Sequence, residues 1–448
     1  MKSERIWGIW VLTSETPTIQ LKECLSLLKD GNHTPPPRTE YGFPMLSAKD
    51  ITVRNEIDFS NPSFIDTKDF HEFHKNWKIE SGDILMTIVG SIGRLAIVND
   101  EHSPFTLQRS VAILRTNERM DNNFLFFWLQ SHEGRWQLES RIVGAVQACL
   151  FLRDIGKLEV PKLNLNTQKE ICKVPILINE KISLGRKVSE CLQEYISALF
   201  RSWFIDFDPV KAKAEGKLPY GMDEETAALF PDKFEDSELG PIPAGWKYGK
   251  LGNCLSIIES GKRPKGGAEE ISDGVPSIGA ESINGIGNFS MSNLKLISYD
   301  FFSVMKKGIV ENGDVMLYKD GAHVGRVAMF DRNYPFDKCA INEHVFRLRT
   351  NGHLTQHFLY CMMSNQQLRW HLECRAIKAA QPGLNQKDLE SIPIVIPSIE
   401  VVNKFTEIVN PLFNIIFEGA KANQQSAEVR NALLPRLMSG ELKVPMEA

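Results

Sequence analysis

The sequence predicts a mixed α/β fold: two similar globular α/β domains joined by two long helices that form an antiparallel, coiled-coil-like spacer. Three observations lead there. The chain repeats itself at an offset of 230–234 residues. Each copy opens with short apolar runs punctuated by Gly, Pro, Asn and Asp, the pattern of strands and turns. Each copy closes on a long stretch with apolar residues at three- and four-residue steps, the pattern of one helix face.

The duplication is read residue by residue. Leu21, Cys24, Leu25 and Gly31 recur as Leu251, Cys254, Leu255 and Gly261, and Pro44, Ala48 and Ile51 as Pro276, Ala280 and Ile283. ESGDILM around Gly82-Asp83 returns as ENGDVML around Gly313-Asp314, and Gly90 and Gly93-Arg94 return as Gly321 and Gly325-Arg326. Arg115-Thr116-Asn117, Arg135-Trp136, Gln147 and Asp154 reappear at 349–351, 369–370, 381 and 388. The period far exceeds the roughly 20–50 residues of a solenoid, so whole domains are duplicated.

Taken in order, the first domain occupies 1–162, with strands expected at Ile84–Val89, Leu95–Val98 and Val111–Leu114 and one helical stretch at Asn123–Ser140. A spacer helix follows over 163–208. Thr167-Gln168-Lys169-Glu170 reads as its capping box, and Pro175 is expected to kink or restart it. Ile178, Ile182, Val188, Leu192, Ile196, Leu199 and Trp203 supply its stripe. Residues 209–244 read as an acidic, proline-rich surface connector. The second domain spans 245–396, with a helical stretch at His357–Arg375. A second spacer helix and tail cover 397–448, its stripe (Phe405, Val409, Leu412, Ile416, then Val429, Leu433, Leu437) interrupted by a polar segment at Glu418–Glu428. Each helix is the obvious partner for the other.

Composition narrows the function. With 448 residues, 42% hydrophobic and 24% charged, the chain has an ordinary globular composition. Ile6–Leu12 is too short an apolar run to cross a bilayer, so the expected location is the cytoplasm, with no membrane partner. Eight scattered cysteines without metal-ligand spacing read as reduced thiols, and no metal site is expected. The net charge of −4 conceals an excess of acid between Glu215 and Glu238, which leaves the remainder mildly basic and compatible with DNA. A phosphate-binding loop, a His-Glu-x-x-His zinc motif and a nucleophile elbow are all missing, and Gly285-Ile286-Gly287 lacks the rest of a dinucleotide fingerprint. No catalytic residue is assigned.

Cations and amides gather instead at turns in matching positions. The first copy offers Asn32, His33, Arg38, Arg94, Gln108, Arg109 and Gln147; the second offers Lys262, Arg263, Lys265, His323, Arg326, Asn342, His344 and Gln381. Such side chains pair with base edges and phosphates, although each also suits a solvated loop or a local salt bridge. Gly-Asp and Gly-Arg pairs shared by both copies are expected to fix turns. Divergent positions are the better candidates for readout.

Three segments carry a resemblance: ALFRSWFIDFDPVKAKAEG (198–216), ELGPIPAGWK (238–247) and ALLPRLMSGELKV (432–444). With the repeated Gly-Asp and Gly-Arg turns, they make the chain similar to the specificity subunits of Type I restriction–modification enzymes, over nearly its whole length. The resemblance implies two target-recognition domains, each reading one half of a split double-stranded DNA site. It implies helices that set the spacing and dock two modification (adenine methyltransferase) subunits. S-adenosylmethionine would be carried by those partners, and ATP and Mg by restriction subunits that translocate and cut, leaving no cofactor on this chain. Phe200, Trp203, Phe204 and Phe207 become candidates for docking the modification subunits, since aromatics cluster at interfaces; packing against the adjoining domain is the competing explanation. The first 16 residues have no counterpart in the second copy. A scaffold that pairs subunits without reading bases, or a stand-alone methyltransferase or nuclease, are the competing readings. Residues 177–203 as one helix would span on the order of 40 Å, close to one turn of DNA.

Overall fold

The computed structural model describes residues 16–34, 36–102, 104–144, 148–264, 271–289, 294–321, 323–376 and 383–442. Residues up to Glu180, together with those from Ser426 onward, form one compact unit, and Lys181–Gln425 form a second.

The first unit runs β1 (Thr18–Gln20), β2 (Leu25–Asp30), β3 (Phe43–Leu46), β4 (Ser63–Ile65), α1 (Thr67–Phe73), β5 (Ile84–Thr87), β6 (Leu95–Ile97), β7 (Thr106–Leu107), β8 (Val111–Thr116), α2 (Asn122–Gln130), α3 (His132–Glu139), α4 (Leu152–Ile155), β9 (Glu159–Pro161) and the start of α5 (Leu165–Phe204). An antiparallel sheet of order β2-β8-β5-β6 stands beside a small sheet of order β4-β3-β7, and β1 pairs with β9. Alternation along β5 explains the layering. Ile84 and Met86 join Phe124 and Phe127 of α2 in one core, while Leu85 joins Leu46 and Leu107 of the small sheet in another.

The second unit begins with the end of α5, then α6 (Asp208–Ala214), α7 (Glu224–Ala228) and the hairpin β10 (Phe234–Ser237) and β11 (Gly240–Pro243). It continues with β12 (Lys247–Lys250), β13 (Leu255–Ser260), β14 (Val275–Ile278), β15 (Lys295–Ile297), α8 (Tyr299–Ser303), β16 (Asp314–Tyr318), β17 (Val327–Phe330), β18 (Ala340–Ile341) and β19 (Val345–Thr350). The remaining elements are α9 (Gln356–Ser364), α10 (Gln366–Ala376), α11 (Gln386–Glu390), β20 (Pro393–Ile396) and α12 (Ile399–Met438). Its sheets, β13-β19-β16-β17 and β15-β14-β18, with β12 paired to β20, repeat the first unit strand for strand.

The two long helices run antiparallel in both units. In the second, Phe200 meets Phe405 with ring centroids 5.8 Å apart, and Gly185 gives room to Asn423. In the first, Arg430 donates to Asn179 Oδ1 at 2.7 Å, and Ile171 and Cys172 share a core with Leu434 and Leu437. As numbers rise along α5, its partners' numbers fall along α12.

Local expectations are corrected in several places. The cap of α5 is Asn164, which accepts from the Thr167 amide at 2.9 Å; Thr167 and Gln168 are buried inside the first turn. Gln168 serves α2 instead, accepting from the Asp121 amide at 2.7 Å. Helix α5 does not restart at Pro175 but runs through it, whereas α12 is, as expected, one helix through its polar middle. Val188 and Val429, counted in the stripes, are exposed. Each predicted helical stretch after the sheet is two helices, broken where Ser131 caps α3 and Asn365 separates α9 from α10. The 209–244 segment is more than surface: Val210 and Phe230 belong to the second unit's core, and Ile242 is buried.

Candidate nucleic-acid interface

Gly31 ends β2 where the chain passes over β7. A Cβ there would lie 2.3 Å from the Leu107 carbonyl oxygen, and its counterpart Gly261 would meet the Ile341 oxygen at 1.6 Å. Only glycine permits that approach. The crossing sets Asn32 beside Gln108 as a parallel bridge, with the Arg109 amide donating to the Asn32 carbonyl at 3.1 Å. Exposed His33 reaches back to Asp30, with Nε2 2.8 Å from Oδ2. Arg109 extends into a groove with His33, Cys149, Phe151 and Arg153. Four predicted residues, Asn32, His33, Gln108 and Arg109, are thus brought together from two distant stretches of sequence.

The second unit builds the same corner from different chemistry. The Gly261 amide donates to the Asn342 carbonyl, and the Asn342 amide to that of Ile278, as the Gln108 amide does to that of Leu46. Here the ions pair with one another. Arg263 Nε lies 3.2 Å from Glu343 Oε1, His344 Nδ1 3.2 Å from Asp320 Oδ2, and Lys319 Nζ 2.6 Å from that same oxygen. Lys262 is exposed beside them, and His323 sits edge-on to Tyr318 on the neighbouring turn. Arg38 is exposed on the loop before β3. Gln147, Lys265 and Gln381 lie outside the described residues. Cys149 bridges Val89 and Gly383 bridges Asp320 at equivalent points.

The shared motifs hold the scaffold. Arg94 donates to the Ile51 carbonyl and Arg326 to Asn284 Oδ1, both at 3.2 Å, so each guanidinium ties its turn to the small-sheet loop of its own unit. Asp83, buried at the end of the Gly-Asp turn, accepts from the Glu80 amide at 2.8 Å and takes Arg115 Nε at 2.7 Å. Hydrogen bonds from Arg115 to the Asp83 carboxylate, with the Glu80 carboxylate 2.9 Å away, push the Arg115 pKa up. Asp314, Arg349 and Glu311 repeat the arrangement, and Arg347 adds a buried pair to Glu259 at 2.9 Å. Sequence comparison of the copies marked Asp83 and Arg115 separately and missed that they pair. No cluster of three metal-ligating side chains exists among the described residues.

The family model for the Type I restriction modification DNA specificity domain matches residues 26–177 and 243–426, well over half of the chain. The chain belongs to this specificity family. Among its relatives, the HindI specificity subunit of Haemophilus influenzae is 26% identical over 412 residues, covering 81% of this chain and 87% of that protein. The MjaIX specificity subunit of Methanocaldococcus jannaschii is 23% identical over 371 residues, covering 81% and 78%. In fold, the chain is similar to the Type I restriction–modification S subunit of M. genitalium, with a TM-score of 0.54, 14% identity and 98% coverage of both chains.

One expectation for this family member is overturned by burial. Phe200, Trp203 and Phe204 are at most 6% exposed. Their rings meet Phe358, Phe405, Phe230 and Trp246 inside the second unit. Phe207 is half-buried against Phe234 and Trp246. Phe200, Trp203 and Phe204 are core, not a docking surface, because α9, α12 and the 209–244 segment cover them; Phe207 packs at the edge of that core and stays partly exposed. No helix among the described residues is long and apolar enough to cross a membrane.

Proposed function

We propose that each unit reads one half of an asymmetric bipartite site in double-stranded DNA, without chemistry of its own. The observation that carries this reading is the corner where β2 crosses β7, and β13 crosses β18. Both copies keep the scaffold there and vary the side chains presented: Asn32, His33, Gln108 and Arg109 against Lys262, Arg263, Asn342 and His344. Turn-fixing residues common to both copies and divergent polar residues beside them are what two readers of different sequences require. The antiparallel helices set the spacing of the half-sites and dock two modification subunits. S-adenosylmethionine is held by those subunits, and ATP and Mg by restriction subunits, in the cytoplasm. Long-read methylation profiling of a host with and without the gene tests this. The predicted result is one split motif whose methylation depends on the gene; an unchanged methylome in a host that supplies modification subunits would contradict it.

A further inference from the structure

Phe151 breaks a local rule that its twin obeys. The Leu150 amide donates to the Ile88 carbonyl and the Leu384 amide to that of Lys319, so Phe151 and Asn385 occupy the same place in the two units. Asn385 caps α11 with a full capping box, its side chain accepting from the Asp388 amide at 2.9 Å. Phe151 stands at the N-cap of α4 with no side-chain bond and is 51% exposed. Phenylalanine cannot cap a helix, and an aromatic left half in water at such a position contributes little to the fold. Local rules are broken in this way where function asks for the residue.

The groove beside it gives the reason. Phe151 shares its walls with Arg109, and among the described residues no side chain pairs with the Arg109 guanidinium. The second unit inverts both features. Glu343 replaces Arg109 and is engaged by Arg263 and His344, while Asn385 is committed to its cap. One corner thus offers an open cation next to an apolar ring, the other a neutralised carboxylate next to a polar cap.

We propose that Arg109 and Phe151 are specificity determinants of the first half-site, Arg109 donating to O6 and N7 of a guanine and Phe151 packing on an adjacent thymine methyl in the major groove. The assignment rests on the DNA-reading function above. Where the first unit has Phe151 the second has Asn385, engaged in its cap, so the two halves differ in chemistry as well as in sequence.

The full chain, assembled with modification subunits, is presented with randomised duplexes and the bound pool is sequenced. The first half is the one that survives exchange of residues 245–396 for those of another family member. Phe151→Asn, which transplants the twin's cap, keeps or raises the thermal midpoint and loses about fivefold of the thymine preference at one first-half position. Arg109→Ala loses about tenfold or more of a guanine preference at a neighbouring position. Uracil in place of that thymine reproduces the Phe151→Asn loss in the wild-type complex and costs the variant nothing further. Variants that keep every preference, or that change the second half, would overturn the assignment while leaving DNA reading intact. A wild-type complex that selects no sequence would remove the reading itself.

Discussion

Removing the Asp83 carboxylate leaves the Arg115 guanidinium with Glu80, itself half in water, as its ionic partner. Breaking a buried pair from one side costs about 3–5 kcal/mol, because the remaining charge stays desolvated. Arg115 is a quarter exposed and keeps Glu80, so Asp83→Ala is expected to cost the first unit less than that, read as a lowered urea midpoint by tryptophan fluorescence. Three histidines give the molecule an acid-sensitive side. Burial pushes His74, His102 and His357 below the usual imidazole range. His102 Nδ1 accepts from the Asn99 amide at 3.1 Å, and His357 stacks edge-on with Phe413 at 4.6 Å. Because the folded pKa lies below the unfolded one, the unfolded chain binds the extra protons. The stabilisation is full above about pH 6.5 and is lost as the pH falls through the folded values. Thermal midpoints are expected to drop between pH 7 and pH 5, and His357→Phe to flatten the drop in the second unit alone. An unchanged slope in that variant would remove His357 from the account.

At the scale of elements, the aromatic run Phe200–Phe207 shows what the sequence could and could not deliver. Its helical spacing was legible, and so was the antiparallel pairing of α5 with α12. Its burial was not, because the residues that cover it, Phe358, Phe405 and Trp246, lie between 39 and 205 positions away and carry no local mark. Phe204→Ala is expected to cost the second unit about 3–5 kcal/mol, read as a lowered denaturation midpoint of the isolated full chain. A docking residue would instead leave stability unchanged and weaken assembly. The restart expected at Pro175 was wrong for a related reason, while the single second helix was read correctly. Pro175 and the Glu418–Glu428 segment are poor local evidence for a helix, and tertiary packing against the opposite helix overrides them. The candidate site divided in the same way. The positions of Asn32, Gln108, Arg263 and His344 were visible as divergences between the copies, whereas the pairing of Arg94 and Arg326 with their own loops needed three dimensions. Phe151 could have been found by asking where one copy has a capping residue and the other does not. If the helices set the spacing, inserting about four residues in α5 and in the facing part of α12 adds roughly 6 Å and nearly restores helical phase. Sequencing the methylated sites should then show the half-sites one or two base pairs further apart, with their sequences unchanged.

For the molecule as a whole, duplication is both the architecture and the logic of function. Two units of identical strand order share their turns, their Asp–Arg clamps and their glycine crossings, and differ in what they display. The central claim is that each display reads its own half of the target. Exchanging residues 245–396 for the corresponding domain of another family member, then mapping methylated adenines by long-read sequencing, tests it most directly. One half of the split motif should change to the donor's, and the other should remain as it was. A chimera in which both halves changed together would contradict the account.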